Sequence, residues 1–335
     1  MNRTKIEWVL NPDGTPGYTW NPITGCLYHT DGMCKGGGFP CWAYKLANGR
    51  LKARYLANPN VAGYDADKLS GRQKIDILED PFYPRFWPEK IDERMPPVAR
   101  VQSHVRYGYP CSETFAYRKY NYKPKGIFTC SMSDLFGIGV PEEWTRKVIG
   151  VAKCNPKDRF YLLTKQPQNL IKFSPFPDNC YVGVTVCNQA MANESIPVLM
   201  NVTAGKRYVS IEPMLESVDL SRIEFGRYLP GNEPYYVNAF EDRYIFGDEG
   251  DIELQKIDWL IIGAQSKPTV IPKIEWVQEL VEAANKAGIP VFLKDNLRPA
   301  FDGISGQIAR DLINLCFRRD GAELKLRQEF PNDQK

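Results

Sequence analysis

Cys26, Cys34 and Cys41 stand in the order Cys26-(seven residues)-Cys34-(six residues)-Cys41-Trp42-Ala43-Tyr44, on one short loop. Three thiolates grouped in this way, opening into a helix, can hold an iron–sulfur cluster or a zinc ion. Gly36, Gly37 and Gly38, between the second and third cysteine, let the backbone wrap a compact centre. A cluster with three protein ligands leaves one iron open to another molecule. His29 lies between Cys26 and Cys34, so a Cys3His zinc site is the alternative, closed and structural, with no chemistry of its own. The blander reading is three unconnected buried thiols. The other six cysteines read as ordinary: Cys130, Cys180 and Cys187 in or beside predicted strands, and Cys111, Cys154 and Cys316 without a partner at metal-ligand spacing.

A loop of this kind needs a scaffold to fix it. Short β-rich runs occupy residues 18–24, 126–130, 159–163, 180–186, 207–211, 258–263 and 290–294. Several are apolar at consecutive positions, as in strands buried on both faces. Helical patterns separate them. Pro141-Glu142-Glu143-Trp144 predicts a helix start, with proline and acidic residues in the first turn. From Pro272, the residues Trp276, Val277, Leu280, Val281 and Ala284 form an apolar stripe that Gly288 can end. Strand starts from 126 onward recur at about 20 to 35 residues, the length of a βα unit, except between 211 and 258. The expected fold is α/β: a full or partial TIM-like (β/α) barrel of about six to seven parallel strands with helices outside, one domain over 1–335. The cysteine loop follows the first strand, at the end of the strands where such barrels carry their chemistry.

Two segments break the rhythm and read as insertions. Residues 56–125 are rich in Pro, Tyr, Phe, Arg and Lys around Pro81-Phe82-Tyr83-Pro84-Arg85-Phe86-Trp87-Pro88. Such a mixture suits a surface excursion packed by its own aromatics, or a cover or grip on a polymeric substrate. Residues 221–257 hold an acidic stretch from 241 to 251.

Composition excludes more than it assigns. The apolar and charged fractions, 43% and 25%, are those of a globular protein, and a net charge of +3 does not by itself call for nucleic acid. Nine cysteines is an odd count. The chain starts Met1-Asn2-Arg3-Thr4-Lys5 without an apolar signal core, and no run approaches the roughly 18 apolar residues of a membrane span. A cytoplasmic protein without a disulfide framework is therefore expected, with no membrane partner. Walker loop, dinucleotide fingerprint, zinc-protease motif and serine elbow are all absent.

Thr19-Trp20-Asn21-Pro22-Ile23-Thr24-Gly25-Cys26, followed by two further cysteines and then Trp42, Ala43 and Tyr44, resembles the opening of the phage-associated three-cysteine-motif proteins. That family is of unassigned function and related to radical S-adenosylmethionine enzymes. Later blocks agree in order: Phe128-Thr129-Cys130-Ser131-Met132-Ser133-Asp134-Leu135-Phe136, Leu162-Leu163-Thr164-Lys165-Gln166-Pro167, Val182-Gly183-Val184-Thr185-Val186 with Asn188-Gln189, and Val209-Ser210-Ile211-Glu212-Pro213. Asp258-Trp259-Leu260-Ile261-Ile262-Gly263 and Pro290-Val291-Phe292-Leu293-Lys294 complete them, and the resemblance runs from residue 4 to about 331, where Leu326-Arg327-Gln328-Glu329-Phe330-Pro331 resembles the usual close. Two departures stand out. Both cysteine gaps are long, where radical enzymes space them C-x3-C-x2-C. Gly263-Ala264-Gln265 stands where the family usually has Gly-Gly-Glu, which removes a carboxylate at a strand end.

The resemblance implies a [4Fe–4S] cluster on Cys26, Cys34 and Cys41, with S-adenosylmethionine on the fourth iron and a 5′-deoxyadenosyl radical as the product of its reductive cleavage. A chain with only two histidines suits such chemistry, which needs no histidine base. Polar residues just past the strand ends are the expected binders of S-adenosylmethionine and substrate: Ser131, Ser133 and Asp134, then Thr164 and Lys165, Thr185 and Asn188, Glu212, Gln265 and Lys294. Lys165 or Lys294 can pair with the methionyl carboxylate, Asp134 or Glu212 with the ammonium or ribose. Ser133 or Asp134 can instead cap a helix. The implied partners are a flavodoxin- or ferredoxin-type reductant, a nucleic acid base or nucleotide to repair or modify (the family resembles spore-photoproduct-lyase-like proteins), and a protein encoded by a neighbouring gene. The competing functions are a non-enzymatic zinc-stabilised binding protein and a family member that has lost turnover, with Gln265 as its mark.

Overall fold

Six of the seven β-rich runs, those from residue 126 onward, each form one strand, because consecutive Val, Ile, Leu, Phe and Tyr side chains can be buried on both faces of a sheet at once. In the computed structural model of the protein, the described residues are 1–63, 71–94, 122–227, 233–245, 252–321 and 323–332. They form two compact units, Met1–Asn169 with Pro175–Tyr181, and Leu170–Ser174 with Val182–Lys335.

The first unit runs β1 (Asn2–Arg3), β2 (Tyr18–Trp20), β3 (Ile23–Thr24), β4 (His29–Thr30), β5 (Met33–Cys34), α1 (Trp42–Asn48), α2 (Lys52–Leu56), α3 (Gly71–Glu79), β6 (Arg85–Phe86), α4 (Pro88–Arg94), β7 (Gly126–Thr129), α5 (Glu142–Lys153) and β8 (Arg159–Thr164). β1 pairs antiparallel with β2, and β2, β7 and β8 lie parallel, with Trp20 opposite Thr129 and Thr129 opposite Leu162. The first run is not one strand. Asn21-Pro22 ends β2, and the chain leaves as β3 to pair with β6, Ile23 opposite Phe86 and Thr24 opposite Arg85. The N-terminal segment lies directly on β7: a Cβ on Gly126 would stand 1.9 Å from the Leu10 carbonyl oxygen, so only glycine fits there. Helix α5 begins where Pro141 predicts it, with Glu142 and Glu143 in its first turn, and buries Trp144, Val148 and Val151. The descent from the sequence is direct for these elements.

The 56–125 segment packs its own aromatics. Within it, residues 71–94 brace the cysteine loop: Phe82, Phe86 and Trp87 are buried, and Arg85 has no exposed surface at all. Residues 64–70 and 95–121 lie outside the described residues. Cys154, which follows α5, is disulfide-bonded, although no disulfide framework is expected from the sequence.

The second unit carries most of β9 (Cys180–Thr185), which the division between units crosses, then α6 (Gln189–Met200) and β10 (Lys206–Ile211). Two hairpins follow within the 221–257 segment, β11 (Ile223–Arg227) with β12 (Pro234–Val237) and β13 (Arg243–Ile245) with β14 (Ile252–Leu254). The rest of the acidic stretch, 246–251, lies outside the described residues. Next come β15 (Trp259–Ile262), the small hairpin β16 (Gln265–Ser266) and β17 (Thr269–Val270), α7 (Ile274–Lys286), β18 (Val291–Leu293), α8 (Gly306–Cys316) and the hairpin β19 (Phe317–Asp320) and β20 (Glu323–Leu326). β10, β15 and β18 are parallel, with Val209 opposite Leu260 and Leu260 opposite Val291. The predicted stripe of α7 is its buried face, Val277, Leu280, Val281 and Ala284, and Gly288 takes a left-handed φ of 67° just past its end. Among the described residues no helix is long and apolar enough to cross a membrane.

Candidate metal centre

The chain reaches Cys26 through a tightly held approach. Asn21 organises it: its side-chain oxygen accepts from Met132 N (2.9 Å) and Ser131 Oγ (3.2 Å), and its carbonyl accepts from Lys90 Nζ (2.7 Å). Ser133 Oγ donates to the Ile23 carbonyl at 3.1 Å. Gly25 then turns with φ at 89°, its N–H on the Met132 carbonyl, and Cys26 N donates to the Phe82 carbonyl at 2.8 Å. The segment presenting that carbonyl is held by Arg85, whose guanidinium donates to the carbonyls of Leu78, Asp80 and Tyr83 at 2.6–3.0 Å. Trp87 closes the other side, its indole N–H on Thr24 Oγ1 at 2.9 Å.

From Cys26 the loop folds on itself. Cys34 N donates to the Phe39 carbonyl, Gly38 N to the Cys34 carbonyl, and Cys41 N to the Gly32 carbonyl. Gly37 and Gly38 both take positive φ here, at 106° and 69°, which is why the glycine run is needed. Cys41 is the residue from which α1 starts. His29 packs between Tyr44 and Phe82, with ring centroids 4.8 and 5.4 Å away, and its Nδ1 accepts the Gly32 N–H at 3.4 Å. That ring is part of the loop's own packing.

The three thiols interact. Burial pushes the Cys26 thiol up to about 12, with further increments from the Asp134 carboxylate and from charge on Cys34 and Cys41. Burial also raises Cys34, against a lowering by the Lys165 ammonium, and charge on Cys41 raises it further. Negative charge on Cys26 and Cys34 is therefore unfavourable without a cation, which a bound metal centre would supply while displacing the protons. Cys26 Sγ accepts from Tyr28 N at 3.3 Å and from Gln166 Nε2 at 3.9 Å, donors suited to a sulfur that carries charge. Among the described residues no three His, Cys, Asp or Glu side chains are drawn together closely enough to enclose a metal ion. The donor chemistry fits a thiophilic centre, and the sulfurs would have to close in to ligate it.

Behind the thiols the strand ends interlock. Asp134 is buried, and its carboxylate accepts from Thr164 Oγ1 (2.7 and 2.9 Å), Lys165 N (2.9 Å) and Phe136 N (3.1 Å). Thr164 Oγ1 accepts from Gln166 N at 2.9 Å, and Gln166 Oε1 accepts from Ile138 N at 2.8 Å. Lys165 lies against the loop: a Cβ on Gly36 would meet its Cβ and Cδ at 3.1 Å, and its ammonium stands 5.8 Å from the Phe39 ring centroid. The first unit thus gathers Cys26, Cys34, Cys41, Ser131, Ser133, Asp134, Thr164 and Lys165, with Asp134 and the two serines committed to shaping the strand ends.

The remaining predicted residues belong to the second unit. Glu212 and Lys294 form an ion pair, and Gly263 leaves it room, since a Cβ there would stand 3.0 Å from Lys294 Cδ and 3.1 Å from Glu212 Cγ. Asn188 caps α6, its side-chain oxygen accepting from Met191 N at 2.9 Å. Gln265 sits in the β16–β17 hairpin with its amide on the Pro268 carbonyl at 2.8 Å. Thr185 is buried, and its hydroxyl makes no hydrogen bond with a described residue.

Sequence reasoning missed Asn21, Arg85 and Gln166. Gln166 lies 140 residues from the cysteine it touches; its sequence signals are its place just past β8, before a proline, and its membership of the Leu162–Pro167 block. The model of a family described as "Protein of unknown function (DUF5131)" matches residues 3–298. No curated protein and no solved structure shows a significant match to the chain.

Proposed function

The chain belongs to the DUF5131 family of unknown function, and within it we propose that Cys26, Cys34 and Cys41 hold a [4Fe–4S] cluster with one iron open to S-adenosylmethionine. The observation that carries this reading is a folded loop that presents three cysteines, the last at the start of α1, and whose intervening histidine is taken up in packing. A fourth protein ligand from His29 would cost its contacts with Tyr44 and Phe82 and its hydrogen bond from Gly32. Held by Cys26, Cys34 and Cys41, a reduced cluster would supply the one electron needed for reductive cleavage of S-adenosylmethionine and so for hydrogen abstraction from a substrate.

The protein's own residues hold and shield. Tyr28 N and Gln166 Nε2 donate to Cys26 Sγ, stabilising negative charge on the sulfur. Asp134 and Thr164 fix Gln166 in that pose. Lys165, beside Cys34, is the cation we assign to the methionyl carboxylate, because Lys294 is already paired with Glu212. The electron comes from a flavodoxin- or ferredoxin-type donor, for which dithionite substitutes in vitro. Anaerobically reconstituted protein given dithionite and S-adenosylmethionine is expected to form 5′-deoxyadenosine and methionine in equal amounts, and Cys34→Ala to form neither. Protein loaded with iron that leaves S-adenosylmethionine intact would overturn the reading.

A further inference from the structure

Between residues 32 and 63 the chain carries Lys35, Lys45, Arg50, Lys52 and Arg54 and no acidic residue, so this stretch alone exceeds the net charge of +3 of the whole protein. It includes two of the three candidate ligands, Cys34 and Cys41. Arg54 lies over the Trp87 ring, 5.3 Å from its centroid. The side chains of the other four are exposed, and none makes an ion pair with a described residue. On α1 the buried face is Ala43 and Ala47, which puts Trp42 and Lys45, three residues apart, on the opposite side. Trp42 follows Cys41 directly and is 58% exposed.

We infer that this surface binds single-stranded nucleic acid, with the phosphates on Lys35, Lys45, Arg50 and Lys52 and a base stacked on Trp42, beside the cysteine loop. Each component has a physical reason. Unpaired cations in series follow a phosphate backbone, and a flat exposed indole accepts any base. An acidic protein would be drawn by the same charge. However, protein interfaces are depleted of lysine, and three of these four cations are lysines. The inference deepens the radical reading by naming its substrate class, and rests on it only there. Binding itself needs no metal, so the two can fail separately.

The test is fluorescence anisotropy of a labelled mixed-sequence 20-nucleotide single-stranded DNA, and its RNA counterpart, titrated with the full chain at low and moderate salt. Binding is expected to weaken with salt, at about −0.7 in log K per log salt for each phosphate neutralised. Trp42→Ala should weaken it by about 5- to 100-fold. The double change Lys45→Glu and Lys52→Glu should weaken it further and flatten the salt slope. Lys286→Glu, an exposed charge in α7, should leave it unchanged. Circular dichroism of each variant shows that the fold is intact. No binding at low salt, binding indifferent to Trp42 and the two lysines, or saturable binding of an acidic ferredoxin in place of either oligonucleotide would overturn the inference.

Discussion

Replacing Gly25 by alanine is expected to cost about 3–5 kcal/mol and to release the cysteine loop from the rest of the first unit. Two effects add. The backbone at Gly25 has φ at 89°, where an L side chain is strained by about 1–2 kcal/mol. The new Cβ would also stand 2.4 Å from the Tyr83 carbonyl oxygen and 2.5 Å from that of Phe82. Those are main-chain atoms, and they cannot swing aside. Their segment is pinned by the three carbonyl contacts of the buried Arg85, so the approach must open by about an ångström, and the Cys26 N to Phe82 O bond goes with it. Urea unfolding should report the loss of stability, and iron uptake by the variant should fall with it. A variant as stable as the parent would mean that the loop does not sit against residues 82–83.

Replacing Asp134 by alanine should cost a similar amount, about 3–5 kcal/mol, by a different route. Its carboxylate accepts from two main-chain N–H groups, of Phe136 and Lys165, and from the Thr164 hydroxyl, all at buried or half-buried positions. Alanine leaves all three without an acceptor. Asparagine keeps one oxygen but turns an N–H₂ toward a donor, so Asp134→Asn should lose about half as much. Because Thr164 in turn positions Gln166, both variants should also loosen the contact to Cys26 Sγ. By its place just past a strand end, Asp134 is also a candidate binder of ammonium or ribose. If that were its main role, Asp134→Asn would weaken S-adenosylmethionine binding while leaving the urea midpoint in place.

The parallel strands were legible because burial on both faces leaves a plain mark: runs such as Trp259-Leu260-Ile261-Ile262 have no polar side to hide. Helices α5 and α7 were legible from Pro141 and its two glutamates, and from an apolar stripe ended by a glycine. The cysteine loop was legible by spacing alone. What the sequence concealed depends on contacts between distant residues. Residues 81–88 have Arg and Pro interspersed with the rings, yet three of those rings are buried and Arg85 serves main-chain carbonyls. Composition cannot distinguish a guanidinium in solvent from one satisfied by three buried carbonyls. Asn188 and Gln265, both expected among the binders, already have partners in the fold: the Asn188 oxygen caps α6 and the Gln265 amide meets the Pro268 carbonyl. Strand-end polar residues are where helix caps and binding groups both occur. Only partners tell them apart.

The central claim is a three-thiol iron–sulfur centre, and the metal content and visible spectrum of protein purified and reconstituted without oxygen test it most directly. The account predicts about four irons per chain with a broad band near roughly 400 nm, both lost in Cys34→Ala and both kept in His29→Ala. About one zinc per chain, no colour, and loss of that zinc in His29→Ala would contradict it, leaving a closed Cys3His site with a structural role.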